Sequence, residues 1–410
     1  MLLRFCVLFF MLLLLSINSH AQTRNLDGVP LPLDVVSIKP ADNSSFAGAW
    51  SGLWGHQLKH ILVVENIQPD GSTEVIYAYG DMVSWGINRG WRKYPAKIEG
   101  DRLIVSGNGF VATYQKLLSG VLMASFKARG AFSQAVLNPL NLETSQPKWT
   151  TAEFGEITTE LSKNGQPIKL EVVTFKPAGT GPFPLAIVNH GSTGDGKNPA
   201  IAKLTFVDTA IAQFLNDRGY LVVFPQRRGR GKSGGLYDEG FRDKREKGYS
   251  CSAKRSLAGA ERAITDLEHI VKSLVKRTDV KSGPVLLSGV SRGGILSMAY
   301  AGRHPNQVSG VINFVGGWMG DSCRNSDEIN DTLFTQAAKF PNATLSLYGE
   351  NDPFYSTKHT KERFQTFKSN GGQGTYMVFD VPGGNGHALS AAYSLWSPAA
   401  DVYLSTLQTQ

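Results

Sequence analysis

The 410-residue chain has only three cysteines, Cys6, Cys251 and Cys323. So few cysteines exclude a small, disulfide-rich scaffold. Neither Cys251 nor Cys323 has a second cysteine or a histidine at metal-ligand spacing, which excludes the usual zinc motifs. We therefore expect no bound metal ion, and nothing in the sequence predicts a cofactor.

Long apolar runs are equally scarce. The one clear case, Phe5 to Leu15, follows the single charge of Arg4 and precedes the short segment Ser-Ile-Asn-Ser-His-Ala. It is shorter than the ~20 residues of a membrane-spanning helix, so an uncleaved anchor is the weaker alternative. The pattern predicts a secretory signal peptide over residues 1–21, cleaved after Ala21. We expect a soluble protein, secreted or periplasmic, with no stable membrane span.

Acidic residues are fewer than basic ones, and the formal net charge is +8. Most of the excess is local, because residues 226–255 contain ten Lys or Arg against four acids, a net of +6. We expect no nucleic-acid partner, since this stretch has no recognisable binding module. Two interpretations of the basic stretch are equally supported by the sequence: it forms a rim that attracts anionic substrates, or it is a solvated loop.

The first part of the chain is rich in strand patterns and poor in helix patterns. Residues 22–45 are proline-rich and aperiodic, which indicates a leader. Residues 46–145 alternate between short strand-like runs and turn signals such as Pro69-Asp70-Gly71. This pattern predicts a small all-β domain, either an antiparallel barrel or a sandwich, whose interior is filled by its own side chains.

From residue 150 to 410 the chain alternates between apolar strands and helices. Near-continuous apolar strands such as Leu185 to Val188 and Leu221 to Phe224 are typical of a parallel sheet covered by helices on both faces. Helices are predicted over about 201–217 and 293–303, among others. Active sites in such sheets lie at the carboxyl ends of the strands.

One of these strand ends carries the sequence Gly289-Val290-Ser291-Arg292-Gly293. It stands between an apolar strand and a helix, so the small flanking residues allow a tight turn that holds the Ser291 hydroxyl above the sheet. The N-terminus of the following helix favours an oxygen that becomes negative. A serine in such a turn is suited to nucleophilic attack.

Four further strands are each followed by a motif: His190-Gly191-Ser192-Thr193-Gly194, Arg227-Arg228-Gly229-Arg230-Gly231-Lys232-Ser233, and the pair Gly349-Glu350-Asn351-Asp352-Pro353 and Gly383-Gly384-Asn385-Gly386-His387. With these motifs in this order, the chain from about residue 154 onward resembles the α/β-hydrolase superfamily. It is most similar to the branch with dienelactone hydrolase-like and prolyl-oligopeptidase-like enzymes. The resemblance implies a doubly wound, mostly parallel sheet.

A serine hydroxyl is a weak nucleophile until a base removes its proton, and an imidazole held in one tautomer by a carboxylate can do so. Of the eight histidines, His190 belongs to the loop that the resemblance assigns to the oxyanion hole, which leaves His387, on a glycine-rich loop after a strand, as the base. Asp352 is favoured as the acid over Glu350 and Asp380. The order Ser291, Asp352, His387 is that of the superfamily.

The resemblance also assigns the oxyanion hole to the backbone N–H groups of Ser192 and Arg292. In the arginine-rich motif, Gln226 stands where relatives often have an acid. A structural turn is favoured there over a substrate role, and phosphate binding is rejected because the P-loop spacing is absent. Since Cys251 and Cys323 both fall near the rim of the strand ends, we expect a disulfide that pins the basic insertion over the pocket.

The expected function is that of an exported serine hydrolase, a carboxylic ester hydrolase acting on a small-molecule ester. An anionic ester is the substrate that a rim of basic residues would attract. A prolyl-oligopeptidase-type serine peptidase is the nearest alternative, although residues 46–145 are too few for a β-propeller. A non-catalytic envelope binding protein is the alternative from another class.

Overall fold

The computed structural model describes residues 23–35, 46–55, 57–82, 86–107, 109–116, 120–128, 131–143, 147, 152–177, 179–381 and 384–408. The predicted signal peptide and its cleavage site lie outside the described residues. Within the described residues, no helix combines the length and the apolar character needed to cross a membrane.

An eight-stranded antiparallel barrel forms the first part of the protein. Its strands follow a short N-terminal hairpin, and the hairpin and barrel strands together are β1 Thr23–Leu26, β2 Val29–Pro32, β3 Gly48–Trp54, β4 Leu58–Ile67, β5 Ser72–Tyr79, β6 Gly90–Glu99, β7 Arg102–Gly107, β8 Phe110–Lys116, β9 Leu122–Ala128 and β10 Ala131–Leu140. Strand β10 pairs with both β3 and β9, which closes the barrel. Of the two expected architectures, the barrel is correct.

Aromatic side chains fill the interior of the barrel. Trp50, Trp54, Tyr77 and Tyr114 are all buried and belong to one apolar cluster. Small barrels close on such a core because inward and outward positions alternate along each strand. The sequence pattern did not reveal β10, since its residues 135–137 are buried on both faces and show no alternation.

The leader differs from the expected aperiodic segment. Strands β1 and β2 pair as an antiparallel hairpin, and the side chains of Val29 and Leu31 are fully buried. They pack with Ile61 and Val63 on the outer face of the barrel. Alternate apolar residues at 29 and 31 are the short strand signal that the prolines obscured.

A second sheet of eight strands forms the C-terminal part, flanked by α-helices. The elements are β11 Ala152–Lys163, β12 Gln166–Phe175, β13 Leu185–Asn189, α1 Pro199–Ala202, α2 Thr209–Asn216, β14 Leu221–Pro225, α3 Ala253–Leu274, β15 Val285–Val290, α4 Arg292–Arg303, β16 Val308–Phe314, α5 Ser326–Ala337, β17 Thr344–Gly349, α6 Thr357–Ser369, β18 Gly374–Phe379 and α7 Tyr393–Gln408. The strand order is β11-β12-β14-β13-β15-β16-β17-β18. All pairs from β14 to β18 in this order are parallel, and β12 is antiparallel to its neighbours.

Apolar clusters cover both faces of this sheet. Helices α3 to α6 contribute to one cluster, and α2 and α7 contribute to the other. The second cluster also contains Val121, Met123 and Val136 of the barrel, packed with residues such as Phe214. The barrel is therefore joined to the α2 and α7 side of the sheet by a shared apolar core.

Strand order reverses at the centre of the sheet. After β13 the chain adds β14 on one side, and the next strand, β15, pairs with the opposite side of β13. The loops that leave β13 and β15 therefore diverge, which opens a crevice at the carboxyl ends of these strands. Asn189 is paired with Gly289 in this register, so the motifs that follow them meet at the crevice.

Candidate active site

Ser291 occupies a strained turn at this crevice. It lies between the end of β15 and the start of α4, with φ 57° and ψ −124°. Positive φ is unfavourable for a residue with a side chain, and such strain persists where the surrounding structure fixes it. The Ser291 N–H donates to the carbonyl of Phe314 at 2.9 Å, which ties the turn to β16.

Three glycines make the turn possible. A Cβ atom at Gly289 would overlap the backbone of Gly293, and a Cβ atom at Gly293 would overlap the carbonyl of Asn189. At Gly191 an added Cβ would lie 3.1 Å from the Cβ of Ser291. The two loops thus approach so closely that no side chain fits between them, which gives the glycine spacing its physical reason.

Asp352 and His387 form a hydrogen-bonded pair. The Nδ1–H of His387 donates to Oδ2 of Asp352 at 2.8 Å, and the carboxylate is almost fully buried. The other oxygen, Oδ1, accepts the N–H groups of Phe354 and Tyr355 at 2.8 and 3.1 Å. The aspartate is therefore fixed by its own turn after β17 and holds the imidazole in the tautomer with a free Nε2.

His387 and Ser291 face the same cavity. Both residues line a cavity of about 600 Å³ at the carboxyl ends of the strands. In the described part of the chain, no hydrogen bond joins the Ser291 hydroxyl to the imidazole. Catalytic hydrogen bonds are often long in structures without substrate, so this arrangement is compatible with a serine–histidine pair.

Ser192 and Arg292 also line this cavity. Their backbone N–H groups donate no hydrogen bond within the described residues, whereas the neighbouring N–H of Thr193 donates to the Tyr249 hydroxyl at 3.0 Å. The amide of Thr193 is thus occupied. The two amides predicted for the oxyanion hole remain available to a substrate oxygen.

The side chain of Arg292 belongs to a buried network that the sequence did not predict. Its guanidinium donates to the carbonyls of Trp318 and Glu239 at 2.8 and 2.9 Å. It also stacks on the ring of Tyr249, 3.8 Å from the ring centroid. The Glu239 carboxylate accepts from Nε of Arg227 at 2.7 Å. These contacts anchor the residue that follows Ser291.

His190 has a structural role in the loop after β13. Its Nδ1–H donates to the Gly191 carbonyl at 2.8 Å, and its Nε2 accepts the Arg227 N–H at 3.1 Å. Burial and the nearby charges of Arg227 and Arg230 hold the pKa of His190 well below its usual value. The ring is therefore neutral and serves as a brace between two motifs.

Gln226 explains one departure from the family pattern. Its side-chain oxygen accepts the Phe206 N–H at 2.8 Å, and its Nε2 donates to the Phe206 carbonyl at 2.9 Å. A carboxylate could accept but not donate here. The single helix predicted over 201–217 is wrong: α1 ends at Ala202 and α2 begins at Thr209. The Gln226 brace at Phe206 and the N-cap of α2 at Asp208 stabilise the loop between them.

Cys251 and Cys323 form a disulfide, with Cα atoms 5.5 Å apart, as predicted. Both residues line the cavity of Ser291. The insertion that the bond holds is not simply a solvated loop, because Tyr237, Glu239 and Tyr249 within it are buried. Aromatic residues inside the basic run were the available sequence signal for this packing.

Residues 205–318 match the family model described as Hydrolase_4, serine aminopeptidase S33. This segment runs from the loop before α2, through the Ser291 turn, to the loop after β16, within a sheet of the expected topology. The C-terminal domain has the α/β-hydrolase fold. The predicted fold is thereby confirmed.

Solved structures with distant similarity to the chain include two esterases and a prolyl endopeptidase. The Pyrococcus furiosus esterase Pf2001 is 15% identical over 63% of this chain and 90% of its own, with a TM-score of 0.44. Est1E from Butyrivibrio proteoclasticus, solved with ferulic acid, is 16% identical over 59% and 97%, with a TM-score of 0.43. The prolyl endopeptidase is 14% identical over 90% and 54%, with a TM-score of 0.42.

No curated protein matches the sequence of the chain. The sheet order and the family match over residues 205–318 agree in giving the C-terminal domain the α/β-hydrolase fold.

Proposed function

We propose that this hydrolase is a serine hydrolase that cleaves carboxylic esters through Ser291, His387 and Asp352. The observation that carries the proposal is that the strained Ser291 turn and His387, whose ring is hydrogen-bonded to Asp352, line one cavity. A serine, a base and an orienting carboxylate in chain order are the parts that acyl transfer needs.

In the proposed mechanism the Ser291 oxygen attacks the ester carbonyl while Nε2 of His387 takes the hydroxyl proton. Asp352 holds Nδ1–H and stabilises the positive imidazolium. The N–H groups of Ser192 and Arg292 bind the oxyanion of the tetrahedral intermediate. His387 then gives its proton to the departing alcohol oxygen, leaving an acyl-serine that water hydrolyses by the same steps.

The test is hydrolysis of 4-nitrophenyl esters of graded acyl length by the wild type and by Ser291→Ala and Asp352→Asn variants. We expect kcat to fall by about 10⁴-fold in Asp352→Asn, because the imidazole loses its tautomer, and at least as far in Ser291→Ala. Ser322→Ala is the matched control, since Ser322 is an exposed serine on the same cavity. Full activity of the Ser291→Ala variant would refute the proposal.

A serine peptidase is the second candidate, favoured by the description of the matching family model. Binding of a free peptide amine would require a carboxylate in the cavity. Asp195 is the acid among the described cavity residues, and it is paired with Lys197 at 2.9 Å. Aminoacyl 4-nitroanilides, assayed beside the esters, distinguish the two functions: we expect turnover of the esters alone.

Export of the protein is part of the proposal, as is the division into domains at residues 46–145 and 150–410. The Cys251–Cys323 disulfide supports an oxidising compartment. Amino-terminal sequencing of the exported protein tests the cleavage, for which we expect a mature chain that begins at Gln22. A cytosolic protein that retains residues 1–21 would contradict it.

A further inference from the structure

The cavity of Ser291 has an excess of cationic side chains. Among the described residues its lining includes Lys197, Arg230, Arg242, Lys247 and Arg292 against one carboxylate, that of Asp195. Lys197 is paired with Asp195, and Arg292 is held by Glu239 at 3.6 Å and by two carbonyls. In the part of the chain that the structure describes, the other three make no ion pair.

Arg230 is the unusual member of these three. Only 5% of its surface is exposed, whereas Arg242 and Lys247 are exposed at the mouth. Its Nη1 donates to the Ile201 carbonyl at 2.6 Å, but its Nε is buried without an acceptor. A guanidinium has five N–H donors, and leaving them unpaired away from water is costly.

Nearby carboxylates are already engaged. Both oxygens of Glu239 are taken, one by Arg227 at 2.7 Å and the other by the Tyr237 hydroxyl at 2.9 Å. Glu171 accepts from the Thr205 hydroxyl and from the Lys232 N–H. Burial lowers the pKa of Arg230 in spite of the attraction of Glu239, the direction expected of a cation that is not fully compensated.

We propose that Arg230 binds a carboxylate carried by the ester substrate. The inference rests on the proposed ester hydrolysis and narrows its substrate to esters with an acidic group, such as half-esters of dicarboxylic acids or esters of hydroxybenzoates. A planar guanidinium pairs with a carboxylate through two parallel hydrogen bonds. Arg242 and Lys247, exposed at the mouth, attract the anion to the cavity.

The test compares esters that differ in a single charge. One pair is the 4-nitrophenyl half-ester of glutaric acid and its methyl-capped diester, which place the charge on the acyl side. The other is 4-acetoxybenzoate and its methyl ester, which place it on the alcohol side. We expect the wild type to prefer the charged member of at least one pair by about tenfold or more in kcat/KM.

Arg230→Gln removes the charge and keeps a polar side chain that can donate hydrogen bonds. We expect it to lower kcat/KM for the preferred charged ester by about ten- to a hundredfold, mainly through KM, and for its neutral partner by less than about threefold. Arg230→Lys keeps the charge but cannot form two parallel hydrogen bonds, so we expect a smaller decrease in kcat/KM than for Arg230→Gln. Lys232→Gln is the matched control, because Lys232 is an exposed cation in the same turn outside the described lining of the cavity.

Equal losses on the charged and neutral esters would assign Arg230 a structural role and overturn the inference. Hydrolysis by the wild type with no preference for either charged ester would overturn it as well, and needs no variant to fold. In both cases ester hydrolysis itself would stand. Failure to hydrolyse any of the four esters, with no labelling of Ser291 by a fluorophosphonate, would instead contradict the proposed function.

Discussion

The hydroxyl of Tyr249 provides a sharp test of how the insertion supports the oxyanion loop. It accepts the Thr193 N–H at 3.0 Å and contacts the hydroxyls of Thr193 and Tyr237 at 2.8 and 2.9 Å. All of these atoms are buried. The Tyr249→Phe variant deletes the hydroxyl and retains the ring that stacks on Arg292.

The magnitude follows from the contacts that are lost. The Thr193 N–H becomes a buried donor without an acceptor, which costs about 1–3 kcal/mol of unfolding free energy. We expect the loop to relax so that this donor finds a partner, and the adjacent Ser192 amide to move with it. Complete loss of one oxyanion donor lowers kcat by about 10²–10³-fold, so we expect a partial displacement to lower kcat by about tenfold with little change in KM.

The assay is steady-state hydrolysis of a neutral 4-nitrophenyl ester, together with urea unfolding of each variant. Tyr237→Phe is the matched control, since it removes a hydroxyl from the same network, bonded to Tyr249 and Glu239, without touching the loop. We expect Tyr237→Phe to lose similar stability and to keep its kcat within about threefold. Destabilisation of Tyr249→Phe with unchanged kcat would refute the role of the hydroxyl in positioning the loop.

Three further predictions concern the turn, the disulfide and the barrel. Gly293→Ala forces a Cβ atom against the Asn189 carbonyl. We expect loss of fluorophosphonate labelling and, as for other steric overlaps, a decrease of about 1–3 kcal/mol in the unfolding free energy measured with urea. Normal labelling would contradict the close approach of the two loops. Replacing Cys251 and Cys323 by alanine removes a cross-link between residues 72 positions apart. We expect the unfolding free energy to fall by about 4 kcal/mol in the absence of reductant; an unchanged urea midpoint would argue against the bond. Burial lowers the pKa of His60 from 6.5 to about 3. The contribution of the neutral His60 ring to the unfolding free energy is therefore fully present above pH 6.5 and is lost as the pH falls towards 3, by about 3 kcal/mol near pH ~4.5. A His60→Gln variant should lack this component, and equal pH dependence of the two proteins would exclude it.

The candidate site was predictable because its residues follow strands in the order of a familiar superfamily. Ser291, Asp352 and His387 follow β15, β17 and β18 in the chain, and the carboxyl ends of parallel strands lie at one edge of the sheet. The Cys251–Cys323 pair was predictable for a similar reason, since both residues lie near that edge. The assignment of chemistry to these residues stays a prediction.

What the sequence did not reveal depends on contacts between distant segments. Glu239 and Tyr249 lie in a charged run, and their burial follows from partners such as Arg227 and Thr193 that no local pattern indicates. Strand β10 lacked alternation because both of its faces are covered. The break between α1 and α2 is stabilised by the Gln226 amide, which follows β14 and bonds to the backbone of Phe206.

The measurement that most directly tests the account is the site of labelling by a fluorophosphonate probe, read by mass spectrometry of the digested protein. We expect a single adduct on Ser291 in the wild type, no adduct in Ser291→Ala, and much slower labelling in His387→Gln because the base is lost. An adduct on a different serine, or none on a folded wild-type protein, would contradict a nucleophilic role for Ser291.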